Sequence, residues 1–306
     1  MIARVHGGLT GSRSESGVAL LQVLLISAVI SILAVRFTLT AQNQLEMASQ
    51  FDQRVFAELK AKSVLNEVIF LQLSEKIRPY DVADSSYSLL SRPTMNRYGD
   101  EINWSKGVKV WIQDMNGLIP QMFVGHFLWK PVLLGLSFNE KEVERYLGTW
   151  GDMQDDDLVS WEGNGDEPVS LPNGAQFING YAQNNKLLSW IFSESQAELR
   201  VLNEVSDISA PYETNLLNAP DELLTILLEP SAAEEFIKAR RSRNWSPNEL
   251  ISLLPEEYQS HTVASYRSND VEIRVQVTGA DNLWIESRVI SLTSGSKPPF
   301  EVRLKE

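Results

Sequence analysis

One apolar stretch near the N-terminus constrains the fold more than any other part of this sequence. Val18–Val35 is 18 residues long and contains no charged residue; Gly17 precedes it and Arg36 ends it. As an α-helix this stretch spans about 27 Å, close to the roughly 30 Å hydrocarbon core of a bilayer. A cleaved secretory signal is the alternative, but no small-x-small cleavage site follows Val35, and the polar leader of 17 residues is longer than such a signal needs. The stretch therefore predicts a membrane helix that the protein keeps.

The helical pattern continues beyond this stretch. Apolar residues recur at spacings of three and four from Leu45 to Ile69, with Leu59 and Leu65 among them, and polar residues lie mostly on the other side. No glycine or proline occurs between Val18 and Arg78, and Pro79 disfavours helix in the residue before it. We therefore predict one helix over residues 18–75, half in the membrane and half amphipathic. Two helices with an unmarked break between them are the alternative.

Alternation of apolar and polar residues predicts four β-strands, one before and three after a long central segment. They are Gly107–Asp114, Asp270–Thr278, Leu283–Leu292 and Phe300–Leu304. The single strand before the central segment and the three strands after it would each be too few to form a stable sheet alone, so we expect one sheet that contains all four. Residues 76–107 are polar and rich in turn residues, and they are predicted to be loop.

The central segment, residues 118–264, has helical periodicity that is broken by turns. Capping residues, and prolines at helix starts, predict five helices in it. These helices cover residues 139–150, 184–192, 218–228, 231–241 and 246–253. The predicted fold class is α+β: a long N-terminal helix packed on an antiparallel sheet, with a large inserted all-helical domain.

Composition excludes several classes of function. The net charge of −13 argues against a nucleic-acid surface, which needs a basic patch. The chain has no cysteine, which excludes disulfides, thiol catalysis and cysteine-based zinc sites. Its three histidines, His6, His126 and His261, lie in unrelated segments, and no common catalytic or nucleotide-binding motif occurs. We therefore expect that the protein is not an enzyme.

The densest group of carboxylates is a candidate metal site. It contains seven acids within sixteen residues, namely Asp152, Asp155, Asp156, Asp157, Glu162, Asp166 and Glu167. Calcium would offset their mutual repulsion, because it prefers oxygen ligands. The EF-hand template fails, since Asp157 stands where it needs glycine and Gly163 where it needs glutamate. The pattern alone favours a solvated acidic loop over a calcium site. A hydrolase acid/base pair is a further alternative, but nothing separates one acid from the others.

The arginines at 240, 241 and 243, at the end of one predicted helix and just before the next, allow a DNA-binding interpretation. The arrangement resembles helix-hairpin-helix proteins, which present backbone amides to phosphate from a glycine turn. Here the corresponding turn, Glu229-Pro230-Ser231, has no glycine and carries an acid. Helix C-terminal charges or an interface patch are the preferred interpretation in so acidic a chain.

The leader, the apolar stretch and the continuing helix together resemble the N-terminus of type IV pilins and type II secretion pseudopilins. In that family a prepilin peptidase cuts after the leader glycine, which implies a cut between Gly17 and Val18. Most members carry glutamate as the fifth residue after the cut, where this chain has Gln22. An amide still accepts a hydrogen bond but loses the charge-assisted pair. Within the family this departure resembles the K-type minor pseudopilins (GspK), which sit at the filament tip and have no subunit above them.

Three further segments resemble the K-type family. The Asp114-Met115-Asn116-Gly117 turn matches the D-x-N-G turn that leads from the pilin sheet into an inserted helical domain. Trp150, Asp152 and Asp155, with the turn over residues 165–167, match the region that binds calcium in the family, which implies calcium as a cofactor. The matches to the family's later N-x-N-x-A-P entry and R-x-x-x-x-(F/W) exit are Asn215, Asn218, Ala219 and Pro220, at shifted spacing, and Arg240 with Trp245.

The resemblance implies a non-enzymatic minor pseudopilin that helps to initiate and cap the type II secretion pseudopilus. The implied organisation is a prepilin leader over 1–17, a transmembrane and amphipathic helix over 18–75, a pilin-like sheet from 76–117 and 265–306, and an insertion over 118–264. The implied partners are the I-type and J-type minor pseudopilins, the major pseudopilin, prepilin peptidase, and the secretin or secreted cargo. The implied location is the bacterial inner membrane, crossed once, with most of the chain in the periplasm. A minor pilin of a type IV or related pilus and a signal-anchored periplasmic hydrolase are the alternatives.

Overall fold

A computed structural model describes residues 15–74, 95–155, 159–160, 180, 186–192, 195–242, 245–262, 268–279, 283–292 and 300–303. The chain divides into two compact units, Met1–Phe56 and Ala57–Glu306.

The longest element is helix α1, Glu15–Ser74, which is continuous over 60 residues. The prediction of one helix is confirmed, and the alternative of an unmarked break is wrong. Its apolar part reaches a mean hydropathy of 2.8 over 18 residues and is long and apolar enough to cross a membrane. The Ser27 and Ser31 hydroxyls in this part donate hydrogen bonds to carbonyls one turn earlier, at 2.9 and 2.8 Å. Their polar groups are thus satisfied within the helix, which lowers the cost of placing serine in an apolar segment.

In the second unit, the C-terminal part of α1 packs on a β-sheet. The buried helix residues are Ala57, Ala61, Val64, Leu65, Val68 and Ile69, and they share one hydrophobic core with the valines and isoleucines of the sheet. The apolar face predicted for this region is correct at Leu65 and Ile69 but wrong at Leu59, which is 63% exposed. The difference arises because the small side chains of Ala57 and Ala61, rather than Leu59, face the sheet.

The sheet has five antiparallel strands in the order β1-β2-β5-β6-β7. They are β1 Ile102–Ser105, β2 Val108–Asp114, β5 Asp270–Thr278, β6 Leu283–Leu292 and β7 Phe300–Arg303. The four predicted strands are confirmed and form one sheet. The assignment of residues 76–107 to loop is wrong at β1, because Ile102 and Trp104 are buried while Asn103 and Ser105 are exposed. Residues 75–94 lie outside the described part of the chain.

The helical insertion begins and ends at neighbouring points of the sheet. Strands β2 and β5 pair directly, with Asp114 opposite Val271 at one end and Val108 opposite Val277 at the other. The chain therefore leaves the sheet after β2 and returns to it at the start of β5. This topology confirms one antiparallel sheet with a large helical insertion between two of its neighbouring strands.

The insertion has its own hydrophobic core, which includes Trp129, Trp150, Phe192 and Phe236. Its helices are α2 Trp129–Gly135, α3 Glu140–Gln154, α4 Lys186–Ile191, α5 Gln196–Val205, α6 Asp221–Leu227, α7 Pro230–Arg241, α8 Pro247–Ser252 and α9 Glu256–Gln259. A short parallel pair of β3, Ile119–Pro120, with β4, Ser206–Asp207, joins two of its segments.

Local sequence explains where several of these helices begin. Asn139 caps α3 and Ser246 caps α8, each in a capping box with a glutamate three residues later. Pro230 opens α7 at a position whose N–H has no partner within the helix. The five predicted helices are all present, with ends that differ by a few residues.

Candidate functional site

The two residues of the predicted leader cut lie in the first turn of α1. Gly17 and Val18 are both within the helix, and the Val18 side chain is 59% exposed. Gln22, one turn later, is also exposed. The cut between Gly17 and Val18 and the role of Gln22 in assembly stay predictions.

Two of the seven predicted calcium ligands fall within the described residues. Asp152 lies in the last turn of α3 and is 5% exposed, and Asp155 is the residue at the C-terminal end of that helix. The other five candidates, Asp156, Asp157, Glu162, Asp166 and Glu167, lie outside the described residues. Within the described residues, no group of three or more histidine or acidic side chains is placed to hold a metal ion.

The end of α3 nevertheless fits an oxygen-binding cation. The Asp155 Oδ1 atom is buried and has no hydrogen-bond partner among the described residues. It lies at a helix C-terminus, where the partial charge of the helix dipole is negative and a cation is stabilised. The helix end is fixed, because the Gln154 side chain donates a hydrogen bond to the Gln121 carbonyl at 2.7 Å and Trp150 packs at 4.4 Å on Trp129. Asp152 and Asp155 are therefore the described residues that would supply oxygen ligands to calcium.

The D-x-N-G turn forms a buried polar network at the end of β2. The Asp114 carboxylate accepts hydrogen bonds from the backbone N–H groups of Asn116 at 3.3 Å and Ser268 at 3.1 Å. Its other oxygen lies 3.4 Å from the Arg97 guanidinium, which also donates to the Gln72 side chain on α1. Burial raises the pKa of Asp114 to about 6, although the Arg97 charge opposes this shift. Asp114 thus joins the outgoing strand, the returning strand and the segment before β1.

This network is the first part of the junction, the polar contact region between the sheet and the insertion. The second part of the junction pairs two asparagines that are 102 residues apart. The Asn218 side chain donates to the Asn116 side-chain oxygen at 2.9 Å, and the Asn215 N–H donates to the Asn116 carbonyl at 2.7 Å. Gly117 completes the turn, since a Cβ atom there would overlap the Asn218 carbonyl group. The turn and the N-x-N-x-A-P entry, which sequence reasoning treated as separate matches, therefore form one structure.

The third part of the junction is a buried arginine. The Arg240 side chain is fully buried and ion-paired with Asp221, and it donates hydrogen bonds to the carbonyls of Ala219 at 2.6 Å and Leu217 at 3.3 Å. Its guanidinium carbon lies 3.9 Å from the centre of the Tyr98 ring. Burial lowers the pKa of Arg240 from its ordinary value, and Asp221 opposes the shift.

The next residue, Arg241, connects the insertion to the segment before β1 through ion pairs at the protein surface. Arg241 pairs at 2.9 Å with Asp100, which precedes β1, and also with Asp221 at the start of α6. Arg240 and Arg241 are both ion-paired within the protein, whereas Arg243 lies outside the described residues. This arrangement agrees with the preference for helix-end and interface charges over DNA binding. Of the predicted exit pair, Arg240 is in the junction, whereas Trp245 is partly exposed beyond α7.

Sequence reasoning missed the partners in this junction. Arg97, Tyr98 and Asp100 lie in a stretch that was predicted to be loop, and Asp221 lies in the helix predicted over residues 218–228, where nothing identified it as an ion-pair partner. The one available signal was Arg97 and Tyr98 next to a turn-forming Gly99-Asp100 pair, which is too common a pattern to identify a buried ion pair.

The two histidines of the second unit are closer than their sequence positions suggested. His126 and His261 both contact the Phe127 ring, with centroid distances of 4.7 and 4.1 Å. The prediction that the two histidines lie in unrelated segments is therefore wrong, because the fold brings those segments together. The His126 Nε2 atom lies 3.2 Å from the Thr214 hydroxyl, and burial lowers the pKa of His126 to about 4. A neutral, buried imidazole among aromatic rings is typical of a core residue.

The fold is similar to that of a solved structure, the GspK–GspI–GspJ complex from the type 2 secretion system of enterotoxigenic Escherichia coli. The similarity covers 85% of this chain and 97% of that chain, with a TM-score of 0.55 and 11% sequence identity. At this identity the likeness establishes the fold, and the predicted fold class is confirmed. No protein-family model and no curated protein matches the sequence.

Proposed function

We propose that this chain is a K-type minor pseudopilin of a type II secretion system, without catalytic activity. The observation that carries the proposal is a helical insertion placed between neighbouring strands of a pilin-like sheet, in a fold similar to a chain of a GspK–GspI–GspJ complex. The apolar segment of α1 supports a single membrane anchor. Its partners are then other minor pseudopilins of the I and J types and the major pseudopilin.

In this proposal the anchor holds the subunit in the inner membrane, with most of the chain in the periplasm, until assembly. Prepilin peptidase first removes the leader between Gly17 and Val18. The insertion then occupies the filament tip, where it helps to initiate the pseudopilus and leaves no room for a subunit above. The neutral Gln22 supports a tip position, because it cannot form the charge-assisted contact of a stacked subunit.

The first experiment is N-terminal sequencing and intact-mass measurement of the membrane-extracted protein, produced with and without prepilin peptidase. We expect a terminus at Val18 that depends on the enzyme. A Gly17→Leu variant should stay uncut, whereas Gly11→Leu, a matched change within the leader, should be processed normally. An uncut terminus at Met1 in the native chain, or a cut beyond Val35, would overturn the proposal.

Processing alone does not separate a type II secretion pseudopilin from a minor pilin of a type IV pilus. Co-purification of the crosslinked, processed protein with tagged candidate subunits separates them. Recovery of I-type and J-type pseudopilins is the expected result, and recovery of pilus subunits instead would assign the chain to the other machine.

We also propose that calcium binds at the end of α3, with Asp152 and Asp155 among its ligands. The bound ion would neutralise carboxylates that otherwise repel one another, and so would stabilise the insertion. We expect calcium to raise the unfolding temperature and EGTA to lower it. Asp155→Asn should abolish most of the calcium-dependent change, whereas Glu144→Gln, on the exposed surface of α3, should preserve it. An identical unfolding temperature with calcium and with EGTA would refute the site.

A further inference from the structure

A cavity lies between the outer face of the sheet and the helical insertion, both within the second unit. Its volume is about 360 Å³, within the range in which proteins enclose a ligand or a large side chain. One side is formed by β2 and β5, where Trp111 and Arg274 contribute side chains. The opposite side is formed by the end of α5, by β4 and by the start of α6. Neither Asp152 nor Asp155, the two predicted calcium ligands within the described residues, lines this cavity.

The lining of this cavity is strongly biased in charge. It contains four carboxylates, of Glu204, Asp207, Glu222 and Glu272, and the guanidinium of Arg274, which gives a formal charge of −3. Two of the acids also have partners outside the lining, since Glu204 pairs with Arg200 at 3.7 Å and the Asp207 carboxylate accepts a hydrogen bond from the Ser209 N–H at 2.8 Å. The Glu272 side chain is 8% exposed and lies 3.5 Å from Arg274, which is itself half exposed. A concave, partly enclosed site with this bias concentrates cations from solution.

The arrangement of the lining selects the kind of cation. The four carboxylates come from four different elements, α5, β4, α6 and β5, and no group of three acidic or histidine side chains in the described part of the chain is placed to hold a metal ion. A planar guanidinium, by contrast, presents five N–H donors that can reach separated acceptors. The lining also includes the Trp111 indole and the amides of Gln113 and Asn203. An aromatic ring attracts a cation above its face, and a guanidinium also stacks on it.

We propose that this cavity binds an arginine side chain on an exposed basic segment of a partner protein. The inference does not depend on the proposed function, because it rests on the shape and charge of the cavity alone. Arg274 lines the cavity with a half-exposed side chain and competes electrostatically with the incoming cation. A variant that lacks the Arg274 charge should therefore bind the incoming arginine more tightly than the native chain.

The test uses the full chain in detergent micelles and the fluorescent peptide acetyl-Gly-Ala-Arg-Ala-Gly, followed by polarisation at low and physiological salt. The same peptide with glutamine in place of arginine is the ligand control. The double variant Glu204→Gln/Glu222→Gln should weaken binding by roughly fivefold for each carboxylate removed. Glu144→Gln/Glu235→Gln makes the same change of charge at two exposed acids outside the cavity, and it should leave the affinity unchanged.

Arg274→Gln should tighten binding by roughly fivefold, a gain that loss of folding cannot produce. Unfolding curves confirm that each variant is folded. Equal weakening in the two double variants would mean that binding follows overall charge, and it would overturn the proposal. No binding of the arginine peptide, equal binding of the glutamine peptide, or no gain with Arg274→Gln would each overturn it as well.

Discussion

Replacement of Arg240 by methionine tests whether the buried junction stabilises the second unit. Methionine keeps much of the apolar volume of the arginine side chain and removes its charge and all five donors. The carbonyls of Leu217 and Ala219 lose their hydrogen bonds, and Asp221 loses one of its two arginine partners. Each buried acceptor left without a partner costs about 1–3 kcal/mol.

Two effects reduce the total cost. The variant no longer buries a charged guanidinium, whose desolvation opposes folding, and Asp221 keeps Arg241 as a partner. Removal of one partner of a buried pair costs about 3–5 kcal/mol in proteins, so we expect Arg240→Met to lower the free energy of unfolding by about 3 kcal/mol. The adjacent Arg241 is 49% exposed and supplies a matched control. Because exposed ion pairs contribute little, Arg241→Met should cost less than about 1 kcal/mol.

The assay is urea unfolding of the full chain in detergent micelles, followed by tryptophan fluorescence. The slope of the free energy of unfolding against urea concentration is compared among the native chain and both variants. An unchanged slope and a lower midpoint identify a change in stability rather than in the unfolded state. An Arg240→Met variant that loses no more stability than Arg241→Met would mean that burial of Arg240 adds nothing to its ion pair with Asp221, contrary to this prediction.

Three further predictions use the same unfolding assay. The pKa of Asp114 is raised to about 6 in the folded chain, so the stability of the native chain relative to Asp114→Asn should fall by up to about 3 kcal/mol as pH rises from 4 to 7. A stability difference that does not change with pH would contradict the burial of Asp114. The pKa of His126 is lowered to about 4, so its effect has the opposite sign. The stability of the native chain relative to His126→Gln should fall by up to about 3 kcal/mol as pH drops from 7 to 4. A fall in this stability difference above pH 7 would argue against a buried, neutral His126. Gly117→Ala should cost at least about 2 kcal/mol, because its Cβ atom would overlap the backbone of Asn218. Gly148→Ala, in α3 with open space around its Cβ position, should instead stabilise the chain by about 0.5–1 kcal/mol, and equal effects of the two changes would refute the close approach at Gly117.

Periodicity predicted most of the fold, because it reports burial on one face of a regular element. Strands β2 and β5 alternate over seven and nine residues, and both were found with nearly correct ends. Strand β1 has only four residues and follows a turn-rich stretch, so its alternation of Ile102 and Trp104 with polar residues was too short to outweigh that context. The apolar face of α1 was misjudged at Leu59 because hydrophobicity alone cannot tell which apolar residues face the sheet.

The candidate sites were harder to predict, because their groups come from distant parts of the chain. The Asp114 carboxylate and the Ser268 N–H that bonds to it are 154 residues apart, and no local pattern relates them. The D-x-N-G turn and the later asparagines were recognised only as separate resemblances to a family. The direct pairing of β2 with β5 brings Asp114 next to Ser268. Asn215 and Asn218 instead come from the interior of the insertion, so the pairing of strands does not account for their contact with Asn116.

The polar character of this junction has a structural consequence that an apolar junction would lack. Apolar contacts tolerate many relative orientations, whereas the bonds of Asp114, Asn116 and Arg240 have fixed directions and fixed partners. Loss of any one of these partners leaves a buried polar group unsatisfied, so the alternatives to the observed arrangement are costly. The junction therefore specifies how the insertion is held on the sheet, while the separate hydrophobic cores of the sheet and the insertion supply most of the burial. For a subunit proposed to place its insertion at a filament tip, a fixed orientation between sheet and insertion is the property on which tip geometry depends.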